Sequence, residues 1–240
     1  MKTVAIIQAR MGSTRLPGKV MADIGGKPML ARVVERTQRA KTLDEVWVAT
    51  SDSAKDDPIA DWCAQNGVPC ARGSEDDVLA RYAQAAAESE ADTVVRITSD
   101  CPMIDPGLID EMVETFRAVT CAYCSNTLAR SWPDGLDVEV FERRALDLAN
   151  EEATEPEARA HVTLYIYRRP RQFLLFSPGG PDRGEVRWTV DTQADLDLVR
   201  AMVAELGEDF TWTEALALYD ARPDLRAINA GVTNKPVSEG

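Results

Sequence analysis

The sequence predicts an α/β protein with a mainly parallel sheet covered by helices on both faces. Three observations point there. Strand-like and helix-like patterns alternate through the first half of the chain. The strand candidates are short apolar runs such as Val4-Ala5-Ile6-Ile7, not the in-out alternation of a half-solvated sheet. Finally, 240 residues, 45% of them hydrophobic, suffice for a full core as one domain or one plus an appendage.

Taken in order, Val4–Ala9 reads as a buried strand and Met29–Ala40 as an amphipathic helix. Val46–Thr50 is the next strand, and Asp57–Asn66 is a helix closed by Gly67, a residue suited to the left-handed C-cap position. Val68–Ala71 is short and strand-like. Ser74-Glu75-Asp76-Asp77 resembles a capping box opening an alanine-rich helix to Ser89. Thr93–Thr98 is a strand, and Asp105-Pro106 caps and starts a helix to Val119. After Cys121 the pattern changes. Ala122–Thr127 and the alternating Leu136–Phe141 suggest strands around turn chemistry at Trp132-Pro133-Asp134-Gly135. Glu142–Glu151 and Glu157–Arg169 read as helices, and Phe173–Phe176 and Glu185–Val190 as strands. Gln193–Glu205 and Thr213–Asp220 close the pattern. Residues 231–240 read as a flexible tail, and 128–184 as an insertion able to cover the open end of the sheet or meet another subunit.

The charge balance narrows the partners. Lys plus Arg total 27 against 40 Asp plus Glu, a net of −13, which argues against nucleic acid or an anionic membrane as the main partner. The distribution is uneven: residues 1–41 hold nine basic and two acidic side chains, leaving −20 on the rest. No apolar run approaches the roughly 18–20 residues of a membrane span, and the first strand begins almost at Met1, without a signal-peptide pattern. Five scattered cysteines suit a reducing cytoplasm better than a disulfide framework. The lone Cys121/Cys124 pair, with one histidine in the chain, suits buried thiols better than zinc.

The basic excess gathers around Gln8–Lys19, QARMGSTRLPGK, directly after the first strand. Gly12, Ser13 and Gly18 interleave with Arg10, Arg15 and Lys19, so backbone N–H groups and cationic side chains can turn onto one anion. It is not a Walker A loop, since no Gly-Lys-Ser/Thr opens the next helix, and its glycines are wrongly spaced for a dinucleotide fingerprint. The pattern reads as a phosphate loop; a basic solvated loop is the bland alternative.

Two carboxylates at strand ends have no local structural task. Asp105, not Asp100, caps the helix beginning at Pro106. Thr192 with Asp195 forms a capping box, leaving Asp191 spare. Such carboxylates beside a phosphate loop suit Mg²⁺, which takes one or two carboxylates and completes its octahedron with phosphate oxygens and water; solvated surface carboxylates are the other reading. Asp137 and Glu139 share one face of the alternating run, as a hydroxyl-binding pair or a solvated sheet face. His161 falls in a helical pattern with Tyr165 and Arg168, where a structural role is the commoner one.

Eight ordered blocks carry a resemblance over nearly the whole chain: QARMGSTRLPGKV, VATSD, RGSEDDVLARY, VRITSDCPMID, YCSNTL, PDGLDVEVF, HVTLYIY and RWTVDTQADL. They resemble the cytidylyltransferases that make CMP-activated acidic sugars, including the CMP-sialate and CMP-Kdo synthetases. The Gln8-Ala9-Arg10 start is most like the spore-coat-polysaccharide and flagellin-glycosylation branch. The resemblance implies a single domain over 1–240 with the three-layer α/β/α, Rossmann-like nucleotide-diphospho-sugar transferase fold. It implies a nucleotide site at Ala9, Arg10, Gly12, Ser13, Arg15, Lys19, Ser51, Arg72 and Ser74, Mg²⁺ on Asp100 and Asp191, and catalytic roles for Arg10, Lys19 and Asp100. Asp137, Glu139 and His161 would meet the acceptor, and 128–184 would form the interface of a homodimer. The expected reaction is Mg²⁺-dependent transfer of CMP from CTP to an acidic sugar. Transfer to a sugar phosphate or phosphonate, and a glycosyltransferase of similar fold, are the alternatives.

Overall fold

The computed structural model describes residues 1–233; of the tail expected over 231–240, residues 234–240 lie outside the described residues. The first half alternates as the sequence predicts. Strand β1 (Thr3–Gln8) is followed by a small hairpin of β2 (Asp23–Ile24) and β3 (Lys27–Pro28), then α1 (Met29–Thr37), β4 (Glu45–Ser51), α2 (Asp57–Gln65), β5 (Cys70–Gly73), α3 (Val78–Glu88), β6 (Thr93–Thr98) and α4 (Pro106–Ala118). The second half adds β7 (Tyr123–Ser125), β8 (Glu139–Glu142), α5 (Arg143–Glu152), α6 (Pro156–Ala160), α7 (Leu164–Tyr167), β9 (Leu175–Phe176), α8 (Gln193–Leu206), α9 (Trp212–Ala221) and α10 (Pro223–Ile228).

Seven strands form one sheet in the order β5-β4-β1-β6-β8-β7-β9. The pairs β1–β4, β1–β6, β4–β5 and β7–β9 are parallel, while β8 runs antiparallel to β6 and β7. The buried apolar strands follow from layers on both faces. Ala5 and Ile7 join a core with Leu30 and Val33 of α1, Ile59 of α2, Met112 of α4 and Val199 of α8. Val4 and Ile6 face a second core with Leu79 and Tyr82 of α3, Leu146 of α5 and Ile166 of α7. The result is the expected three-layer α/β/α arrangement.

β1 has β4 on one side and β6 on the other, so crossovers from the centre of the sheet go opposite ways. The crevice beyond the carboxyl ends of β1 and β6 is therefore a topological switch point, where open α/β sheets bind ligands. Residues 128–184 are not set apart from this body: they supply β8 to the sheet interior, and α5 and α6 pack on α3.

Several elements differ from the sequence expectation. The helix expected to open at Ser74 starts at Val78, because Asp77 is the N-cap, accepting from Ala80 N at 2.9 Å, while Ser74 Oγ accepts from Asp77 N in the preceding turn. The single helix expected over 157–169 breaks into α6 and α7. Val162 takes φ 46°, and buried Thr163 is drawn to Glu139, its hydroxyl donating to Oε2 at 2.5 Å. His161 thus lies at the C-cap of α6 and not on a continuous helix face. Glu185–Val190 forms no ladder strand; it makes one bridge, Asp134 to Arg187, and its other backbone bonds go to loop carbonyls. Helix α10 extends beyond the expected close at Asp220, and Asn229 just past it donates to Asp195 Oδ1 at 2.9 Å. Asp105 caps α4, and Thr192 with Asp195 forms the capping box of α8, as their local chemistry predicts.

One turn packs the chain after β7 closely against the 187–189 segment. Gly135 adopts φ 108°, and a Cβ there would lie 2.5 Å from Thr189 N and 2.7 Å from Trp188 C. Both obstructions are backbone, so relief requires the 187–189 segment to move. Gly135→Ala is expected to destabilise the fold by about 1–3 kcal/mol, read as a lower urea midpoint with unchanged m value.

Candidate active site

The loop after β1 is folded back on itself by the Met11 carbonyl, which accepts from Ser13 N at 3.0 Å and Gly18 N at 3.2 Å. Gly18 takes the left-handed conformation, φ 70°, that lets the chain turn directly into the short 3₁₀ turn Lys19–Met21. Among the described residues, the N–H groups of Gly12, Thr14 and Arg15 have no protein acceptor. They are available to an anion, as a phosphate loop requires. Arg10 is exposed at the mouth of the loop, and Ala9 is buried beneath it, its N–H bonded to Ala49 O. Asp56 anchors the loop to β4: Oδ1 accepts from Met11 N at 2.7 Å and Oδ2 from the Ser51 hydroxyl.

Across the switch point, Val190 N donates to Asp100 O at 2.8 Å, and the Thr189 hydroxyl donates to the same oxygen at 3.3 Å. These bonds bring Asp100 and Asp191, 91 positions apart in sequence, to neighbouring places at the sheet end. Lys19 Nζ lies between the two carboxylates. It donates to Asp100 Oδ2 at 3.1 Å, Asp191 Oδ1 at 2.8 Å and Val190 O at 2.7 Å. Asp191 Oδ2 takes Arg15 Nη2 at 2.9 Å and Arg187 Nη2 at 2.8 Å. Thr98 donates to Asp100 Oδ1 at 2.5 Å.

The electrostatics follow from that geometry. Burial alone would lower the Lys19 ammonium, but Asp100 and Asp191 hold its pKa above the ordinary value. Burial pushes Asp191 up, while Lys19, Arg187 and Arg15 outweigh it and bring the carboxyl from 3.8 to about 2. Ionised Asp191 therefore contributes stability that is fully present above its ordinary pKa of 3.8 and lost as pH falls through about 2. The stability gap between wild type and Asp191→Asn is expected to narrow across that window in acid-unfolding titrations.

The donor set also fits a magnesium ion. Hard carboxylate oxygens of Asp100 and Asp191 converge on one cation, and they sit beside a loop with unused N–H donors. Among the described residues no group of three or more His, Cys, Asp or Glu is arranged for a metal, so phosphate oxygens and water would complete the shell.

A cavity of about 260 Å³ opens onto this cluster, lined by Arg15, Asp100, Asp134, Asp137 and Asp191 among others. Asp137 is held by both guanidinium arms of Arg130, at 2.7 and 2.8 Å, yet burial, with neighbouring Asp134, leaves its pKa raised. Ser51, Arg72, Ser74, Glu139 and His161 do not line it. Ser51 and Arg72 meet at the β4–β5 ends, Arg72 Nε donating to Ser51 O at 3.0 Å and Nη2 to Asp57 at 2.7 Å; the Ser74 carbonyl accepts from buried Arg81. The Glu139 carboxylate is turned into the second core, where it pairs with Arg96 and accepts from Tyr123 Oη at 2.8 Å. His161 stands beside Glu157 on the segment that carries Thr163 to Glu139.

Sequence reasoning passed over the residue that organises the carboxylate side of the site. Arg187 reaches Asp191, Asp195 (Nε to Oδ1 at 3.0 Å) and Asp134 (3.3 Å), and its carbonyl accepts from Asn229 at 3.1 Å. The one available signal was its position four residues before Asp191. Asp134, read only as turn chemistry, joins the same network.

Comparison with known proteins gives concordant findings. Residues 4–220 match the protein family described as Cytidylyltransferase. The chain is 34% identical over 229 residues to the spore coat polysaccharide biosynthesis protein SpsF of Bacillus subtilis, covering 91% of this chain and 94% of that protein. It is 34% identical over 201 residues to the 3-deoxy-manno-octulosonate cytidylyltransferase of Geotalea daltonii, covering 73% and 78%. Among solved structures it is similar to a cytidylyltransferase from Leptospira borgpetersenii, with a TM-score of 0.90 and 31% identity over 98% of this chain and all of that one.

Proposed function

The chain belongs to the cytidylyltransferase family, and from that premise we propose that it transfers CMP from CTP to an acidic sugar or related acceptor, with Mg²⁺, and releases pyrophosphate. The observation that carries the reading is the convergence of Arg15 and Lys19, from the phosphate loop, on Asp100 and Asp191 at the switch point. An oxygen of the acceptor forms a bond to the α-phosphorus while the bond to the bridging oxygen breaks. Pyrophosphate leaves with that electron pair, and the acceptor proton passes to solvent.

Catalysis of this kind is mostly positioning and charge neutralisation. The free N–H groups of Gly12, Thr14 and Arg15, with Ser13 shaping the turn, cradle the outer phosphates. Arg10 and Lys19 offset charge on the α-phosphate and on the leaving group. Mg²⁺, held by Asp100 and Asp191, supplies charge stabilisation at the phosphoryl oxygens. Ser51, Arg72 and Ser74, along the ends of β4 and β5, place the nucleoside. The acceptor sits over Asp137, with Glu139 and His161 on the elements that build that side, and a homodimer through 128–184 encloses it. The names of the relatives favour an acidic sugar for a surface polysaccharide, in the cytoplasm where CTP is made.

The test is pyrophosphate release from CTP, ATP, GTP and UTP against acidic sugars, sugar phosphates and phosphonates. Release from CTP with an acidic sugar is expected; sugar transfer from a preformed sugar nucleotide without pyrophosphate would overturn the reading.

A further inference from the structure

The Lys19 ammonium has three N–H donors, and all three are used on three oxygens: Asp100 Oδ2, Asp191 Oδ1 and the Val190 carbonyl. Its surroundings hold it there, because its side chain is only 12% exposed. The carboxylates are fixed independently, Asp100 by Thr98 and Asp191 by Arg187. The same two carboxylate oxygens are those a divalent cation would take. We infer that Lys19 is a resident cation filling the metal position between Asp100 and Asp191, so that a divalent ion enters this pair only as Lys19 leaves it.

The local charge count supports this. Lys19 pairs with Asp100 and Asp191 and Arg15 with Asp191, two positive charges against two negative, so a bare dication meets a neutralised pair and a competing ammonium. Arg187 has its own acidic partners, Asp134 and Asp195, and stays anchored. Lys19 and Arg15 belong to the loop in which the Gly12, Thr14 and Arg15 N–H groups have no protein acceptor among the described residues. An arriving phosphate chain gives both side chains new partners, uncovers the two carboxylates and brings negative charge to the site. Metal and nucleotide binding are then positively coupled, each raising the affinity of the other by the same factor. The identity of the anion rests on the proposed function; the filling of the metal position does not.

The test measures Mn²⁺ binding by the intact protein, through loss of the free-ion paramagnetic resonance signal, without nucleotide. Lys19→Met is expected to bind Mn²⁺ about tenfold or more tightly than wild type, since a competing charge at contact distance is gone. Lys19→Arg is expected to stay as weak as wild type, and Lys19→Met with Asp100→Asn to lose the gain. Lys19→Ala replaces the methionine variant if that one does not fold. Wild type binding Mn²⁺ as tightly as Lys19→Met, or a gain that survives Asp100→Asn, overturns the inference. A parallel titration adds CTP or inorganic tripolyphosphate to wild type, with Mn²⁺ held by the protein counted as the excess over the same mixture without protein, since both anions chelate Mn²⁺. Enhancement by both supports displacement by a phosphate chain. A Lys19→Met gain without enhancement by either leaves the resident cation standing and counts against the nucleotide reading.

Discussion

Asp100→Asn is expected to lower the turnover of the proposed CMP transfer by about 10²–10³-fold at saturating Mg²⁺, the effect typical of losing one electrostatic contact to the transition state. Asparagine keeps the size of the side chain and an oxygen for the Thr98 hydroxyl, so the end of β6 is held as before. Lys19 keeps two of its three acceptors, Asp191 and Val190. What disappears is one of the two carboxylate charges proposed to hold Mg²⁺. The loss falls on kcat more than on KM for CTP, because the phosphate loop and the β4–β5 ends are untouched. Steady-state pyrophosphate release with unchanged thermal unfolding checks it; near-full transfer in this variant rules out Asp100 as a ligand of the proposed Mg²⁺.

Glu139→Leu is expected to destabilise the protein by about 3–5 kcal/mol, the range for breaking a buried ion pair and leaving one charge uncompensated. Glu139 and Arg96 are 8% and 15% exposed, on neighbouring antiparallel strands β8 and β6. Burial works against the Arg96 guanidinium, and Glu139 holds its pKa above the ordinary value. Tyr123 and Thr163 direct their hydroxyls at the same carboxylate, so removing it strands three donors at once. Urea unfolding gives the loss, and the double variant Arg96→Met with Glu139→Leu is expected to recover the part due to the buried charge, while the Tyr123 and Thr163 hydroxyls still lack their acceptor. Full stability in the single variant would mean that Arg96 reaches solvent.

Arg96 also donates to Gln8 Oε1 at 3.1 Å, directly before the phosphate loop. The pair thus joins β1, β6, β7 and β8 under the site, and Glu139, placed by the alternating pattern on a polar face, faces a protein interior. Alternation fixes which residues share a face, but not whether another element covers that face. Here α3, α5 and α7 cover it. The break at Val162 has the same origin: periodicity over 157–169 reads as one helix, while the demand of Glu139 for the Thr163 hydroxyl arises only once β8 is in place.

What the sequence by itself determined was local and near-neighbour chemistry. Apolar runs set the parallel core, the Gly18 turn shaped the loop, and the caps at Asp105 and Thr192–Asp195 left Asp100 and Asp191 unused by their own helices. Those rules act within a few residues, so they can be read along the chain. Only the tertiary structure decided that Lys19 meets Asp100, 81 positions away, and Asp191, 172 positions away. It also decided that Arg187, Asp134 and Asn229 form one network behind them. Such contacts depend on which strand neighbours which and where the crossovers reverse. That is settled by the packing of the whole sheet, and no short stretch of residues encodes it.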